Sequence, residues 1–313
     1  MKAVGVIEYG GPDALQVVEL PDPVVGPGQV RIRVHAAAVS PTDTLARNGA
    51  RADIQRASGP PPYVPGMDAA GVLDAIGDGV ETDLSVGDHV MAIVAPEGSH
   101  GAYSELIVVP AESVAPVPAG ATDVEACTLP MNGLTARLAL DVLQLHPGQT
   151  LAVTGAAGAF GGYVVQLAKA DGLTVVADAS EADEQLVRRL GADVVVRRGD
   201  DFAAQVRQRF PDGTDGAADG ALLDGLVAPA VRDGAIVVTV RGYSERGARG
   251  VVFRPIRVRD YVRAQDKLDG LRHLVEQGKV TLRVAGTVPK ERAAEAHRRL
   301  EAGGTRGRMV IEF

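Results

Sequence analysis

Apolar positions change period twice along the chain, and the changes divide it. Over residues 2–8 and 29–37 Val and Ile recur at every second position, the period of half-buried strands, and 71–76, 89–94 and 106–109 continue it. Gly26-Pro27-Gly28 and Gly59-Pro60-Pro61-Pro62 break these runs as turns do. Past Pro118, Leu and Ala take helical spacing over 123–129 and 134–143. Strand and helix patterns then alternate: strand 150–154, helix 160–171, strand 174–178, helix 182–190, strand 193–196. Strands at 217–223 and 235–240 flank a short helix near 225–231. Continuous apolar strands alternating with helices predict a parallel sheet covered on both faces. The tail is mixed: helix 260–277, strand 279–285, helix 290–301, strand 308–312. The polar, Pro- and Gly-bearing stretch 49–62 reads as a loop, either a lid over a ligand or a plain connector. The chain shows no internal repeat.

Composition narrows the class. The chain has 313 residues, 46% hydrophobic and 23% charged, enough to bury a core in two domains. Its net charge is −8 with no basic block, which argues against nucleic-acid binding. One cysteine, Cys127, rules out a disulfide framework and any multi-cysteine metal site and fits a reducing compartment. The opening residues do not have the form of a signal peptide, and no run approaches a membrane span. A cytoplasmic protein without membrane partners is expected. The six histidines show no metal-ligand spacing.

The stretch with the most chemistry is Gly155-Ala156-Ala157-Gly158-Ala159-Phe160-Gly161, between an apolar strand and an amphipathic helix. A dinucleotide pyrophosphate approaches main-chain N–H groups at a helix N-terminus, where a Cβ at Gly158 would obstruct it; Gly161 lets helix and strand pack closely. The first glycine of the dinucleotide pattern is replaced by Ala156. Asp178, twenty residues beyond Gly158, is placed either to hold ribose hydroxyls, as in NAD sites, or to cap the next helix. Arg188, Arg189, Arg197 and Arg198 follow, each a solvated arginine or a receiver of a 2′-phosphate.

Longer segments carry a resemblance. Val39-Ser40-Pro41-Thr42-Asp43, Pro65-Gly66-Met67-Asp68-Ala69-Ala70-Gly71-Val72, Val86-Gly87-Asp88-His89-Val90, Gly101-Ala102-Tyr103-Ser104-Glu105, Leu129 to Ala136, Gly155 to Gly161 and Glu301 to Val310 together resemble the medium-chain dehydrogenase/reductase superfamily, in its zinc-independent, quinone-oxidoreductase-like (ζ-crystallin-type) branch. The resemblance spans almost the whole chain. It implies an α/β protein: a GroES-like β domain from both chain ends (1–122 and 255–313) and a doubly wound Rossmann domain (123–254), with the substrate cleft between them. It also implies NAD(P)H as cofactor, hydride transfer to a small-molecule quinone or α,β-unsaturated carbonyl, and a homodimer paired through the strand near 235–240 or the segment 250–253.

Where zinc-dependent relatives carry their catalytic ligands, this chain has Ser40, Met67-Asp68 and Met131. Serine hydroxyl and thioether are poor zinc ligands, so no catalytic metal is expected. The resemblance places Ser40, Asp43, Arg47 and Tyr243 at the reacting end of the site, with Tyr63 and Tyr103 as further polar candidates. It places Thr135, the block 155–161, Asp178, Ser180, Arg198, Val240 and Arg308 around the cofactor. Arg47 is either a donor to a carbonyl or phosphate or one half of a surface salt bridge, and Asp43 is expected to orient Arg47 or a turn. Ser40 and Leu45 depart from the asparagine and aromatic residue common in the branch. The family favours NADPH, whereas Asp178 and Asp183 favour NADH. Two other readings are a catalytically weak dinucleotide-binding or sensing protein and a methyltransferase-like Rossmann protein using the same glycine turn.

Overall fold

The structure, a computed structural model, describes all 313 residues. The chain folds into two compact units: residues 1–131, 262–277 and 281–313, and residues 132–261 with 278–280.

The first unit is built on strands. β1 (Lys2–Val6) and β2 (Leu15–Glu19) form an antiparallel hairpin. β3 (Gln29–Ala38) follows, then two short helices, α1 (Pro41–Arg47) and α2 (Ala52–Ala57). The stretch 49–62, read from sequence as a loop, thus contains a helix. β4 (Asp68–Ile76), β5 (His89–Ile93), β6 (Leu106–Pro110) and β7 (Val114–Pro116) come next, then the single-turn α3 (Asp123–Ala126). In β3 the two-residue period is literal. Val30, Ile32 and Val34 enter the core, while Arg31 and Arg33 on the other face both bond Asp74 of β4.

The second unit begins in α4 (Pro130–Leu143) and is a regular alternation: β8 (Thr150–Thr154), α5 (Ala159–Ala170), β9 (Thr174–Ala179), α6 (Glu184–Arg189), β10 (Val194–Arg197), α7 (Phe202–Arg209), β11 (Thr214–Asp219), β12 (Val231–Thr239) and β13 (Val252–Pro255). Every pairing is parallel and the strand order is β10-β9-β8-β11-β12-β13. Numbered from β8 this is 3-2-1-4-5-6, the doubly wound dinucleotide-binding order. Its core includes Phe202 and Val206 of α7, both fully buried. Sequence patterning misses this helix because only two of its eight positions are large and apolar. β11 lies earlier than the expected 217–223, with Asp219 as its last residue. β12 is flanked on both sides, so the expected pairing strand near 235–240 is internal; the edge is β13.

The chain then returns to the first unit with α8 (Gln265–Glu276), β14 (Val284–Pro289), α9 (Ala293–Glu301) and β15 (Arg308–Glu312). β14 falls after the expected 279–285. β15 pairs antiparallel with β3 and parallel with β14, completing the sheet order β14-β15-β3-β4-β5-β7, with β6 on β3. The division falls at 131 and 261 rather than at the expected 122 and 254. The shift has local causes: Asp123 bonds His35 and His89 in the first unit, and Tyr261 bonds Asp141 in the second.

Candidate active site

In the second unit, β8 runs into the glycine turn at the point where strand order reverses, the usual ligand crevice of such sheets. Each glycine has its own steric reason. Gly155 has φ +68°, and a Cβ there would stand 2.9 Å from the Gly220 carbonyl carbon. At Gly161 a Cβ would lie 2.4 Å from the Gly155 oxygen, so the helix packs this close only without one. Gly158, the N-cap of α5, is open by comparison: a Cβ would meet only the Gly155 oxygen, at 3.1 Å. Ala156 and Ala157 are buried, and Ala159 and Phe160 begin the helix. A helix N-terminus with this cradle suits a diphosphate.

The far wall of the crevice is braced by residues that sequence reasoning missed. Thr154 Oγ1 donates to Asp219 at 2.5 Å, and Asp219 accepts the amides of Ala221, Leu223 and Asp224, fixing the turn after β11. An acid closing a strand and followed by Gly220 was the available signal.

Asp178 is buried on β9. Its Oδ1 accepts the Ala156 amide at 3.0 Å, so it braces the glycine turn and does not cap the next helix. Its Oδ2 lies 3.4 Å from Arg198 Nε, with the guanidinium half exposed. Burial pushes its carboxyl up, against the pull of the Ala156 amide and of Arg198. Ser180 is tied to the buried Asp183 at 2.6 Å. Arg188 and Arg197 make surface pairs with Glu184 and Asp201. Thr135 is buried on α4, and Val240 is half-buried just past β12. Tyr243 donates to Glu245 and packs edge-on against Phe253.

In the first unit, Asp43 is a buried hub. It accepts the Ser40 amide (2.7 Å), the Gly66 amide (3.1 Å) and the Tyr103 hydroxyl (3.1 Å). It therefore orients a turn, as one reading of the sequence had it, and does not touch Arg47. Arg47 is 3% exposed and donates to Glu301 at 2.5 Å and to the Gly10 carbonyl. The expected donor to substrate is thus spent on a salt bridge whose arginine is buried and whose glutamate reaches the surface. Arg47 also donates to His297 Nδ1 at 3.3 Å. Arginine has no acceptor, so Nδ1 is bare and Nε2 carries the proton, directed at Tyr103 oxygen 3.2 Å away. A continuous chain results: Glu301, Arg47, His297, Tyr103, Asp43. Burial pushes Asp43 up to about 6, and burial with Arg47 beside it pushes His297 down to about 3. Of the other tyrosine candidates, Tyr63 donates to the Gly59 carbonyl.

Arg308, expected near the cofactor, is instead buried against Asp68 at 2.7 Å and the Val39 carbonyl at 2.9 Å. Asp68 also accepts the Met131 amide at 2.6 Å. Burial raises the Asp68 carboxyl and Arg308 opposes the rise. A catalytic zinc fits poorly here: Asp68, the carboxylate among these positions, already neutralises a guanidinium, and a dication there would face that guanidinium. Of the four residues expected at the reacting end, only Ser40 keeps an uncommitted group, a buried Oγ without a hydrogen-bond partner.

Comparison with known proteins adds the lineage. The family described as "Alcohol dehydrogenase GroES-like domain" matches residues 26–119, and "Zinc-binding dehydrogenase" matches 190–311. The chain is 32% identical to the chloroplastic NADPH-dependent alkenal/one oxidoreductase of Arabidopsis thaliana, over 99% of this chain and 79% of that protein. It is 27% identical to the quinone oxidoreductase of Mus musculus, over 99% and 97%. A solved mycobacterial structure complexed with NADPH superposes over 100% of both chains with TM-score 0.86 at 28% identity.

Proposed function

The chain belongs to the medium-chain dehydrogenase/reductase superfamily, in its zinc-independent, quinone-oxidoreductase-like branch, and we propose that it reduces quinones or α,β-unsaturated carbonyls with NAD(P)H. The observation that carries this reading is the glycine turn at the N-terminus of α5, where a Cβ at Gly155 or Gly161 would press on backbone at 2.9 or 2.4 Å and one at Gly158 would meet only the Gly155 oxygen, at 3.1 Å. The fit is good enough to name the holders. Backbone amides at the start of α5 receive the diphosphate, and Asp178 and Arg198 receive the adenosine ribose, the acid suiting a 2′-hydroxyl and the guanidinium a 2′-phosphate. Thr135 and Val240 are proposed beside the nicotinamide.

When bound, the reduced cofactor supplies a hydride. The protein's share is orientation and hydrogen-bond donation to the oxygen that gains charge as an electrophilic carbon is reduced. Ser40 Oγ is the proposed donor, held in place by the Asp43 hub through its own amide. Asp43, Arg47 and Arg308 act through position, not on substrate. The Asp68–Arg308 pair does not suit zinc.

No helix of the chain is long and apolar enough to cross a membrane. A cytoplasmic homodimer, joined along the edge strand β13, is part of the proposal; light scattering at micromolar concentration tests it, and a monomer would refute it. The function is tested by following loss of reduced-nicotinamide fluorescence with a panel of quinones and enones. The chain contains no Trp, so the nucleotide signal is read without tryptophan background. Turnover is expected with at least one acceptor class. Cofactor binding without turnover on any of them would favour the sensing reading.

A further inference from the structure

Three side chains outside both sites described above meet at one point of the first unit. His35 is on β3, His89 on β5, and Asp123 is the first residue of α3. His35 Nδ1 lies 2.7 Å from Asp123 Oδ2; His89 Nδ1 lies 2.9 and 3.1 Å from Oδ1 and Oδ2. One ligand atom from each residue falls within 4.8 Å of the other two. The imidazoles stand edge to face, centroids 6.0 Å apart.

Sheet register explains the convergence. His35 continues the Arg31, Arg33 row, on the face of β3 opposite the core positions Val30, Ile32 and Val34. His89 is opposite Val72 of β4, and Val72 is opposite Arg33. The two histidines therefore flank β4, and α3 brings Asp123 to both. Separations of 88 and 34 residues from Asp123 hide the grouping from any reading of spacing.

We propose that His35, His89 and Asp123 hold one divalent first-row transition ion, zinc above all, with water in the remaining positions. Two imidazoles and a carboxylate are a common N₂O donor set for such an ion. Bonds of about 2.0–2.1 Å at tetrahedral angles place ligand atoms about 3.3 Å apart. The two histidine-to-carboxylate separations, 2.7–3.1 Å, are a few tenths short of that, and the ligand atoms of all three residues lie within 4.8 Å of one another, so modest side-chain adjustment converts N–H···O contacts into coordination. Each Nδ1 becomes a ligand when its proton moves to Nε2, and the side chains are 42% and 58% exposed, which leaves water free to serve the new N–H. The ion's role is structural: it clips the start of α3 to β3 and β5 and takes no part in reduction.

The test uses the full-length protein after chelator treatment. Titration with Co²⁺, read by visible d–d absorption, and competition by Zn²⁺ should give one ion per chain. His89→Ala and His35→Ala should each weaken binding by more than the roughly 10–100-fold that loss of an outer-shell partner costs. Zn²⁺ should raise the Tm of the wild type and not of the variants. The metal-free variants should bind NADPH as the wild type does, which separates this site from the cofactor proposal. Absence of a one-to-one complex, or wild-type affinity in both variants, would overturn the inference and leave a hydrogen-bonded triad only.

Discussion

The buried chain from Arg47 to Asp43 makes a signed prediction about acid. His297 is fully buried and its imidazole holds no proton above about pH 3, against an ordinary value of 6.5. In the unfolded chain it takes a proton below 6.5, so acid favours unfolding through this group. Stability is complete above 6.5 and declines as pH falls towards 3, by about 1.4 kcal/mol per pH unit and roughly 5 kcal/mol in all. Asp43 works the other way. Folded, it keeps its proton up to about 6; unfolded, it loses it above 3.8. Its contribution is complete below 3.8 and is lost as pH rises through 6, about 3 kcal/mol in all. Between pH 4 and 6 the two slopes cancel.

Cancellation makes single substitutions informative. Removing the histidine leaves the Asp43 slope alone, and removing the acid leaves the histidine slope alone. His297→Gln should therefore gain stability relative to wild type on going from pH 6 to pH 4, by about 2–3 kcal/mol, while Asp43→Asn should lose a similar amount. Both variants are expected to start less stable at pH 7, because each breaks a buried hydrogen-bond chain. The informative quantity is the change with pH, not the offset. Urea melts at four pH values between 4 and 7, on wild type and both variants, supply it. Arg47 and Glu301 beside His297, and Arg308 and Asp68 near Asp43, are common to all three proteins, so their contributions cancel in the difference to first order. Variant curves running parallel to wild type would refute the assignment of a neutral His297 and a protonatable Asp43.

Gly158→Ala, whose φ of −73° suits alanine but whose Cβ would meet the Gly155 oxygen at 3.1 Å, should lose less Tm than Gly161→Ala, yet bind NADPH at least 10-fold more weakly by fluorescence titration. Gly161→Ala, with its Cβ 2.4 Å from a backbone oxygen, should lose several degrees of Tm because helix and strand must move apart. Arg308→Met leaves Asp68 charged and buried, at about 3–5 kcal/mol by urea denaturation, and Asp68→Leu combined with it should recover most of the loss. Arg198→Ala should weaken NADPH binding more than NADH binding in parallel titrations; equal losses would remove the guanidinium from cofactor choice.

The parts of the molecule legible in sequence are those written in a few adjacent residues. The parallel sheet is one, because strands buried on both faces read as unbroken apolar runs. The glycine turn is another, because three small residues between a strand and a helix state a steric requirement locally. α7 escaped because its buried face is carried by Phe202 and Val206, too few for a period. α1 escaped because it is short and held by tertiary bonds, Asp43 to Gly66 and Arg47 to Glu301, more than by propensity, and α2 because its six residues are too few to show a period. The roles of Arg47 and Arg308 escaped for a related reason. Charge near a recognisable motif suggests a ligand, but both guanidiniums are matched by carboxylates 254 and 240 residues away.

These distant pairs also say why one unit needs both ends of the chain. The N-terminal segment buries Asp68 and Arg47, and neither can stay charged in an apolar interior without a counter-ion. Asp68 receives Arg308 from β15, and Arg47 receives Glu301 from the end of α9. The same C-terminal segment supplies Val310 and Ile311 as fully buried residues and pairs β15 with β3 at Ala36 to Ala38. Hydrophobic burial and charge neutralisation are thus delivered together by one returning strand and its preceding helix. The acid of Asp68 is balanced by Arg308. Without either counter-ion the first unit would hold a lone buried charge, so its two chain segments are joined by electrostatics as well as by the sheet.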